Sequence, residues 1–413
     1  MTVAIAGAGI AGLTLGLTLH QIGVPFRIYE AVRRLKPMGV GINLQPNAVR
    51  ELIDLGLEDD LTRIGVATQS LGFYSKTGRE IWTEPRGTAA GYHWPQFSVH
   101  RGHLQMLLYD RLVVRAGVDC VVTGHRATGF SAGRLHMETV DGPVDAKARL
   151  IIAADGIHSA LRHQMYPEEG PPIWGGAVLW RGTTQAAPFL GGADMILAGH
   201  DSQRFVAYPI TPPIPDTGQA TINWIAELRI DPAQGWRKED WNRQANLAEF
   251  LPAFEAWRFE WLDVPALIRR AEAVYEYPMV DRDPVDRWTQ GPVTLMGDAA
   301  HPTYPVGSNG ASQAIIDART LGACLKEHGI AEKALLAYEA AIRPRTTAVT
   351  LANRVAGPDA ILQLVEDRCG GEFDDIETVV PRAELAAHSA KYKSLAGFDV
   401  AALNAQPPLI GPV

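Results

Sequence analysis

The apolar positions of the first thirty residues change period twice. "TVAIAGAG" (2–9) is a short β-branched run closed by glycine. "IAGLTLGLTLHQIG" (10–23) places Leu13, Leu17 and Leu19 at helical intervals, and "VPFRIYE" (24–30) returns to strand character. The pattern predicts a β-α-β unit whose parallel strands are joined by a right-handed crossover. Further along, "NAVRELIDLGL" (47–57) and "HLQMLLYDRLVVRAG" (103–117) are amphipathic helices, and "VDCVVTG" (118–124) and "RLIIAADG" (149–156) are strands. From about 172 to 230 the helical period disappears. "AVLWRGTT", "DMILAGH", "QRFVAYPI" and "QATINWIAEL" read as successive strands between Gly and Pro turns. The expectation is an antiparallel sheet inserted into an α/β body. Residues 240–258, 264–273, 311–328 and 332–354 are expected to be helical. Pro344 should kink or interrupt the last of these. "AELAAHSAKY" makes a final helix and "NAQPPLIGPV" an extended tail.

Composition narrows the function classes. The 413 residues are 46% hydrophobic and 20% charged, an ordinary globular balance. The net charge of −8, without a long basic run, argues against nucleic acid or an anionic membrane as partner. Cys120, Cys324 and Cys369 are far apart and form no metal pattern, which fits a reducing cytoplasm. No apolar stretch has the length of a membrane span. "MTVAIAGAGI" lacks a basic lead-in, so no signal peptide is expected.

Three segments carry the chemistry. The first is Gly7-x-Gly9-x-x-Gly12 with Glu30 at the end of the second strand. In this Rossmann-type arrangement the first glycine permits the tight turn, the second the approach of a pyrophosphate, and the third close packing of helix on strand. The acid accepts hydrogen bonds from ribose. The second is "ADGIHSALR" (154–162), which places Asp155 at a strand end and Arg162 on the helix that follows. The third is "GDAAHPTYPVGSNGASQAIIDA" (297–318). It spends more residues than a plain connection of about 2–6 needs. Asp298 can bond a polyol hydroxyl. Gly307 and Gly310 allow a flat ring to lie on the backbone, and the next helix aims its positive end at that ring. A group that becomes anionic on reduction, such as a flavin, suits that position.

Taken in this order, the three segments resemble the single-component flavoprotein aromatic hydroxylases, the class A FAD monooxygenases of the para-hydroxybenzoate and salicylate hydroxylase group. The likeness extends to about residue 355. "GVGINLQPNAV" (39–49), "FSVHRGHLQM" (97–106) and "LWRGTT" (179–184) are similar in particular to the phenazine hydroxylases of that family. The resemblance implies an FAD-binding domain over residues 1–72, 97–171 and 275–355. It implies a substrate domain over 73–96 and 172–274, and a C-terminal helical segment with a tail over 356–413. FAD, bound non-covalently, would be held by Gly7, Gly9, Gly12, Glu30, Gly41, Arg101, Gln105, Asp155, Arg162, Asp298, Gly307, Asn309 and Gly310. NADH or NADPH would reduce the flavin. The reduced flavin would then activate O₂ and deliver one oxygen atom to a planar aromatic substrate.

Pro305, Tyr208 and His301 are the candidate catalytic residues. Pro305 is expected close to the reacting edge of the flavin, as in the family. His301 serves either a structural hydrogen bond or an acid–base or flavin-gating role. Trp180, Tyr208 and Trp224 are the candidate pocket aromatics, with plain sheet core as the competing reading for the tryptophans. The sequence leaves open epoxidation, Baeyer–Villiger oxidation or oxidative decarboxylation on the same scaffold, and a flavin-binding module without turnover. The expected partner is a small aromatic molecule, and the expected assembly a monomer or homodimer.

Overall fold

The computed structural model describes residues 2–231, 243–355, 357, 359–396 and 399–412. A six-stranded sheet has the spatial order 289–290, 293–295, 150–153, 3–6, 26–30 and 121–123. It is parallel except for the pair formed by the edge strand 289–290 and its neighbour 293–295. Strand Val3–Ala6 lies between strands reached in opposite directions along the sheet, which is the switch point where α/β sheets open a crevice at their carboxyl ends. Helix Ile10–Gln21 packs on this sheet and against helix Gly310–His328. Gly7 takes φ +102°, and a Cβ there would lie 2.4 Å from the Ala154 carbonyl oxygen. A Cβ on Gly12 would lie 2.0 Å from the carbonyl oxygen of Gly7. The first and third glycines therefore serve close packing, as the motif predicts.

The second large sheet has seven strands, in the order 274–281, 173–186, 220–229, 203–209, 194–200, 70–74 and 80–85. One departure from the expected antiparallel sheet is the parallel pairing of Ser70–Tyr74 with Asp194–His200. One face of this sheet carries an aromatic core of Trp180, Trp224, Phe205, Phe250 and Phe254. The C-terminal helices Ala360–Cys369 and Arg382–Ala396 cover the other face through Ile361, Leu362, Val365 and Leu385. Two three-stranded sheets complete the body, one of them 41–44, 96–100 and 65–68.

The helix expected over 240–258 does not form as one element. Residues 240–242 lie outside the described part. The rest gives a 3-10 turn at Leu247–Glu249 and a single turn at Leu251–Phe254 with Pro252 as its second residue. Helix Val264–Arg269 is shorter than expected and is capped by Asp263. Helix Glu332–Val355 continues across Pro344. In that turn the Thr346 hydroxyl donates to the carbonyls of Ile342 and Arg343. The tail is preceded by a short helix, Val400–Ala405, and is tied back by Gln21, which donates to the Gly411 carbonyl at 3.0 Å.

Candidate active site

A cavity of about 1360 Å³ runs from the glycine-rich turn to the seven-stranded sheet. A single drug-sized ligand takes roughly 300–1,000 Å³, so this space has room for a dinucleotide and a second molecule. At one end Glu30 accepts from the N–H of Ala8 at 2.7 Å and of Val32 at 2.9 Å. Each carboxylate oxygen keeps a lone pair for a ribose hydroxyl. Gln105 donates to the Ala8 carbonyl at 2.8 Å, so it fixes the glycine-rich turn, while Arg101 lies exposed on the wall.

Asp155 also lines the cavity. Its Oδ2 accepts from the Ala160 N–H at 3.0 Å, and its Oδ1 is buried without a partner among the described residues. Burial pushes its pKa up, against the hydrogen bonds from Ser159 and the backbone. Asp298 stands exposed on the same wall, in the turn Gly297–Ala299. A buried, orphaned carboxylate oxygen is what a hydroxyl-rich ligand would satisfy.

Pro305, Gly307, Asn309 and Gly310 line the far end, opposite Gly41. Helix Gly310–His328 has no side-chain cap at Asn309, and its first residues face the cavity. A Cβ built on Gly310 or on Gly9 would meet no protein atom within 4 Å, so both glycines border open space. The cradle, the uncapped helix end and the orphaned acid together fit FAD. Gly9, Glu30 and Arg101 would hold its nucleotide half, Asp155 and Asp298 its polyol, and Gly41 with 305–310 its ring.

Three expected site residues lie elsewhere, and a fourth is only half as expected. Arg162 does not reach the cavity or meet Asp155. It is 1% exposed, is held by Glu169, and donates to the carbonyls of Ala299 and Ala300 at 3.0 and 2.8 Å. Its role is to hold the turn that presents Asp298. Ser159 caps its own helix through the Arg162 N–H. Trp180 and Trp224 face the aromatic core, because Leu179, Arg181, Ile225 and Glu227 take the cavity face and strand side chains alternate. His301 is buried off the cavity wall, and its Nε2 lies 2.5 Å from Asp317 Oδ2. Burial pushes its pKa down, but the Asp317 carboxylate outweighs this and the net direction is up.

Tyr208 does line the cavity, with a pKa pushed up to about 12 by burial against the opposing pull of Arg181. Sequence reasoning missed the apolar shelf beside it. Ile225, Val206, Leu197 and Phe73 form one cross-strand row facing the cavity. It also missed Asp359, Ile361 and Ser389 of the C-terminal segment, which line the cavity at this end. Strand parity, counted from the charged Arg181 inside "LWRGTT", is the signal that could have found the shelf.

A nucleotide crevice continuous with an enclosed apolar shelf defines a flavoprotein monooxygenase of the aromatic hydroxylase class. The description "FAD binding domain" matches residues 1–352, and the chain belongs to that family. It is 43% identical to phenazine 1,6-dicarboxylic acid hydroxylase of Lysobacter antibioticus, over 85% of this chain and 89% of that protein. It is 34% identical to 3-amino-4-hydroxybenzoate 2-monooxygenase of Streptomyces cremeus, over 84% of each. The Klebsiella pneumoniae HpxO complexed with FAD and uric acid shares the fold, with a TM-score of 0.70 at 24% identity, over 96% of this chain and 93% of that one. The protein is an FAD-dependent monooxygenase. Among the described residues, no helix is long and apolar enough to cross a membrane, and no His, Cys, Asp and Glu cluster could hold a metal.

Proposed function

We propose that the chain hydroxylates a planar polycyclic aromatic acid of the phenazine class, with quinoline- and phenol-like acids as smaller relatives. NADH or NADPH and O₂ are the co-substrates, and the three unpaired cysteines support a cytoplasmic setting. The observation that carries this reading is the cross-strand row of Phe73, Leu197, Val206 and Ile225, which lines the same cavity as Pro305 and Gly41. Such a surface desolvates a ring by area and leaves its edges to the polar residues around it.

The bound flavin supplies electron transfer from the nicotinamide and the activation of oxygen. What this chain supplies is placement and dryness. The shelf fixes the plane of the substrate, and Ile361 with the C-terminal helices shuts out water. Gly307 and Gly310 let the substrate and the ring share one space. Tyr208, neutral at any physiological pH, offers a hydroxyl to a polar edge of the substrate. The similarity to phenazine and aminohydroxybenzoate hydroxylases supports the same substrate class.

The test uses the FAD-loaded protein with NADH or NADPH, and a panel of phenazine, quinoline and hydroxybenzoic carboxylic acids. The expected result is accelerated nicotinamide oxidation with a product heavier by one oxygen atom. A panel in which no acid raises the rate above that of the protein alone would refute the proposal. A product that has lost its carboxyl group would move the reaction to oxidative decarboxylation.

A further inference from the structure

Away from the flavin cavity, the three-stranded sheet of 126–131, 134–139 and 142–147 carries a second cluster of reactive side chains. His136 lies directly across from Asp145 in the strand register, and its Nδ1–H donates to Asp145 Oδ1 at 2.7 Å. An ionised carboxylate can only accept, so it fixes the proton on Nδ1 and leaves the lone pair on Nε2. The Ser131 hydroxyl donates to that Nε2 at 2.6 Å. Nucleophile, base and acid thus stand in one hydrogen-bonded line, the arrangement that activates a serine for acyl transfer. None of the three lines the cavity.

Two cations share the same face. Ser131 is directly opposite Arg134, and Arg134 is directly opposite Lys147. Opposed and alternate positions of a sheet point to one side, so Ser131, Arg134, His136, Asp145 and Lys147 stand together there. Arg134 and Lys147 are exposed, and among the described residues neither forms an ion pair. Like charges directly across a strand pair repel. An anion held over Arg134 and Lys147, beside the Ser131 hydroxyl, relieves that repulsion. The face is open to water, so an electrophile that reacts on it must bring a good leaving group of its own. An acyl phosphate meets both requirements, since its phosphate is at once the anion and the leaving group.

We propose that Ser131 is an acyl-acceptor site for acyl phosphates, with His136 as its general base and Asp145 as the residue that positions the imidazole. Ser131 Oγ attacks the carbonyl carbon, and the Oγ–C bond forms as the bond from that carbon to the bridging phosphate oxygen breaks. Phosphate leaves with the electron pair, and the serine proton passes through Nε2 to solvent. Water, giving a proton to Nε2, then displaces Oγ from the carbonyl carbon. Oγ takes that proton back, and the carboxylic acid is released. Nothing is oxidised or reduced, so the activity is independent of the flavin chemistry.

The experiment incubates the FAD-loaded protein with acetyl phosphate. Phosphate release is followed, and acid-quenched samples are digested to locate acetyl groups by mass. The wild type should release phosphate about ten- to a hundredfold faster than Ser131→Ala, the lower end of general-base catalysis because the ion pair is wet. Ser131 should carry a hydroxylamine-sensitive acetyl ester. Ser202 is the internal comparison: it is bonded to His200 at 3.0 Å, and that ring makes no ion pair among the described residues. It should stay unmodified. His136→Gln should match Ser131→Ala. Asp145→Asn should lose most of the rate, and Asp145→Glu should regain part of it. Arg134→Met and Lys147→Met should raise the half-saturating acetyl phosphate concentration several-fold and leave the maximal rate in place. FAD content and melting temperature show that each variant is folded. Should Ser131→Ala fail to fold, the labelling of Ser131 against Ser202 in the wild type decides. Equal phosphate release by wild type and Ser131→Ala would overturn the inference. So would full activity in His136→Gln, equal labelling of Ser131 and Ser202, or acetyl groups confined to lysines. Each of these results would leave the hydroxylase reading standing.

Discussion

Replacing Gly310 with valine separates the cradle from the scaffold. Gly310 opens helix Gly310–His328, and a Cβ there meets no protein atom within 4 Å. Its backbone is not left-handed, so valine adds no dihedral strain. In a helical position valine is better than glycine by roughly 0.3–0.5 kcal/mol. The stability of the apo-protein should therefore be unchanged or slightly raised. The added carbons must occupy the cavity, where the flavin ring would lie. Overfilling a fitted site costs about 1–3 kcal/mol, which is a fall in FAD affinity of roughly five- to 150-fold. The assay is FAD titration by flavin fluorescence, beside a thermal melt of the apo-protein. Ala323→Val, in the same helix and away from the cavity, is the control and should bind FAD normally. Gly310→Val that binds FAD with wild-type affinity would refute the reasoning, since no ring could then lie against that backbone.

Other outcomes follow from the same geometry. Glu30→Ala should weaken FAD by about 1–3 kcal/mol, because it removes the ribose acceptor and the anchor of Ala8 and Val32; FAD retained at full strength would take Glu30 out of the site. His301 has a pKa raised above 6.5 by Asp317 once burial is overcome, so its pairing stabilises the fold fully below that value. That stabilisation is lost as pH rises through the folded-state pKa. The stability gap between wild type and His301→Asn should accordingly shrink toward alkaline pH in denaturant melts, and a pH-independent gap would show that His301 does not titrate there. Trp180→Ala should cost about 3–5 kcal/mol of stability, since it removes a ring stacked on Phe250 at 4.9 Å. The folded variant should keep its substrate affinity, and a matching loss of affinity would return Trp180 to the pocket.

The glycine positions of the candidate site were legible because their requirements are local. Gly7 must be glycine where φ is +102° and Ala154 presses close, and Gly310 must be small where the cavity begins. These constraints leave a spacing that sequence records directly. Arg162 shows the limit. Its position after Asp155 suggested a shared ligand, yet Glu169 and the carbonyls of Ala299 and Ala300 draw the guanidinium away. Glu169 is near in sequence, but the two carbonyls are 137 and 138 residues distant, and spacing does not carry them. The tryptophans failed for a different reason. Trp180 and Trp224 suit a core and a pocket equally well by type, and only strand parity separates the two faces. The part that Asp359, Ile361 and Ser389 take in the cavity wall was also out of reach, because the C-terminal helices show only a generic amphipathic pattern.

The walls that face the reaction are held from two sides, one by the substrate sheet and one by helix Glu332–Val355. Gly41 gives its N–H to Asn223 and receives a bond at its carbonyl from Arg181. On the opposite side, Asn353 bonds Thr303 and the carbonyls of Tyr304 and Val306, and fixes the loop that carries Pro305. A few residues beyond Asn353, Asp359 pairs with Arg204 on the sheet. Two contacts thus tie the substrate sheet to its surroundings, one at Gly41 and one between Arg204 and Asp359. Oxygen transfer to a ring depends on the distance and angle between donor and acceptor, and a misplacement of about 1 Å can cost a hundredfold in rate. A scaffold tied at both sides meets that demand without a relay of acids and bases. The buried titratable groups fit this account: Tyr208 stays neutral, and His301 is spent on Asp317 away from the cavity. What the chain contributes to catalysis is therefore position and the exclusion of water, and the residues that hold Gly41 and Pro305 in place matter as much as those that touch the ring.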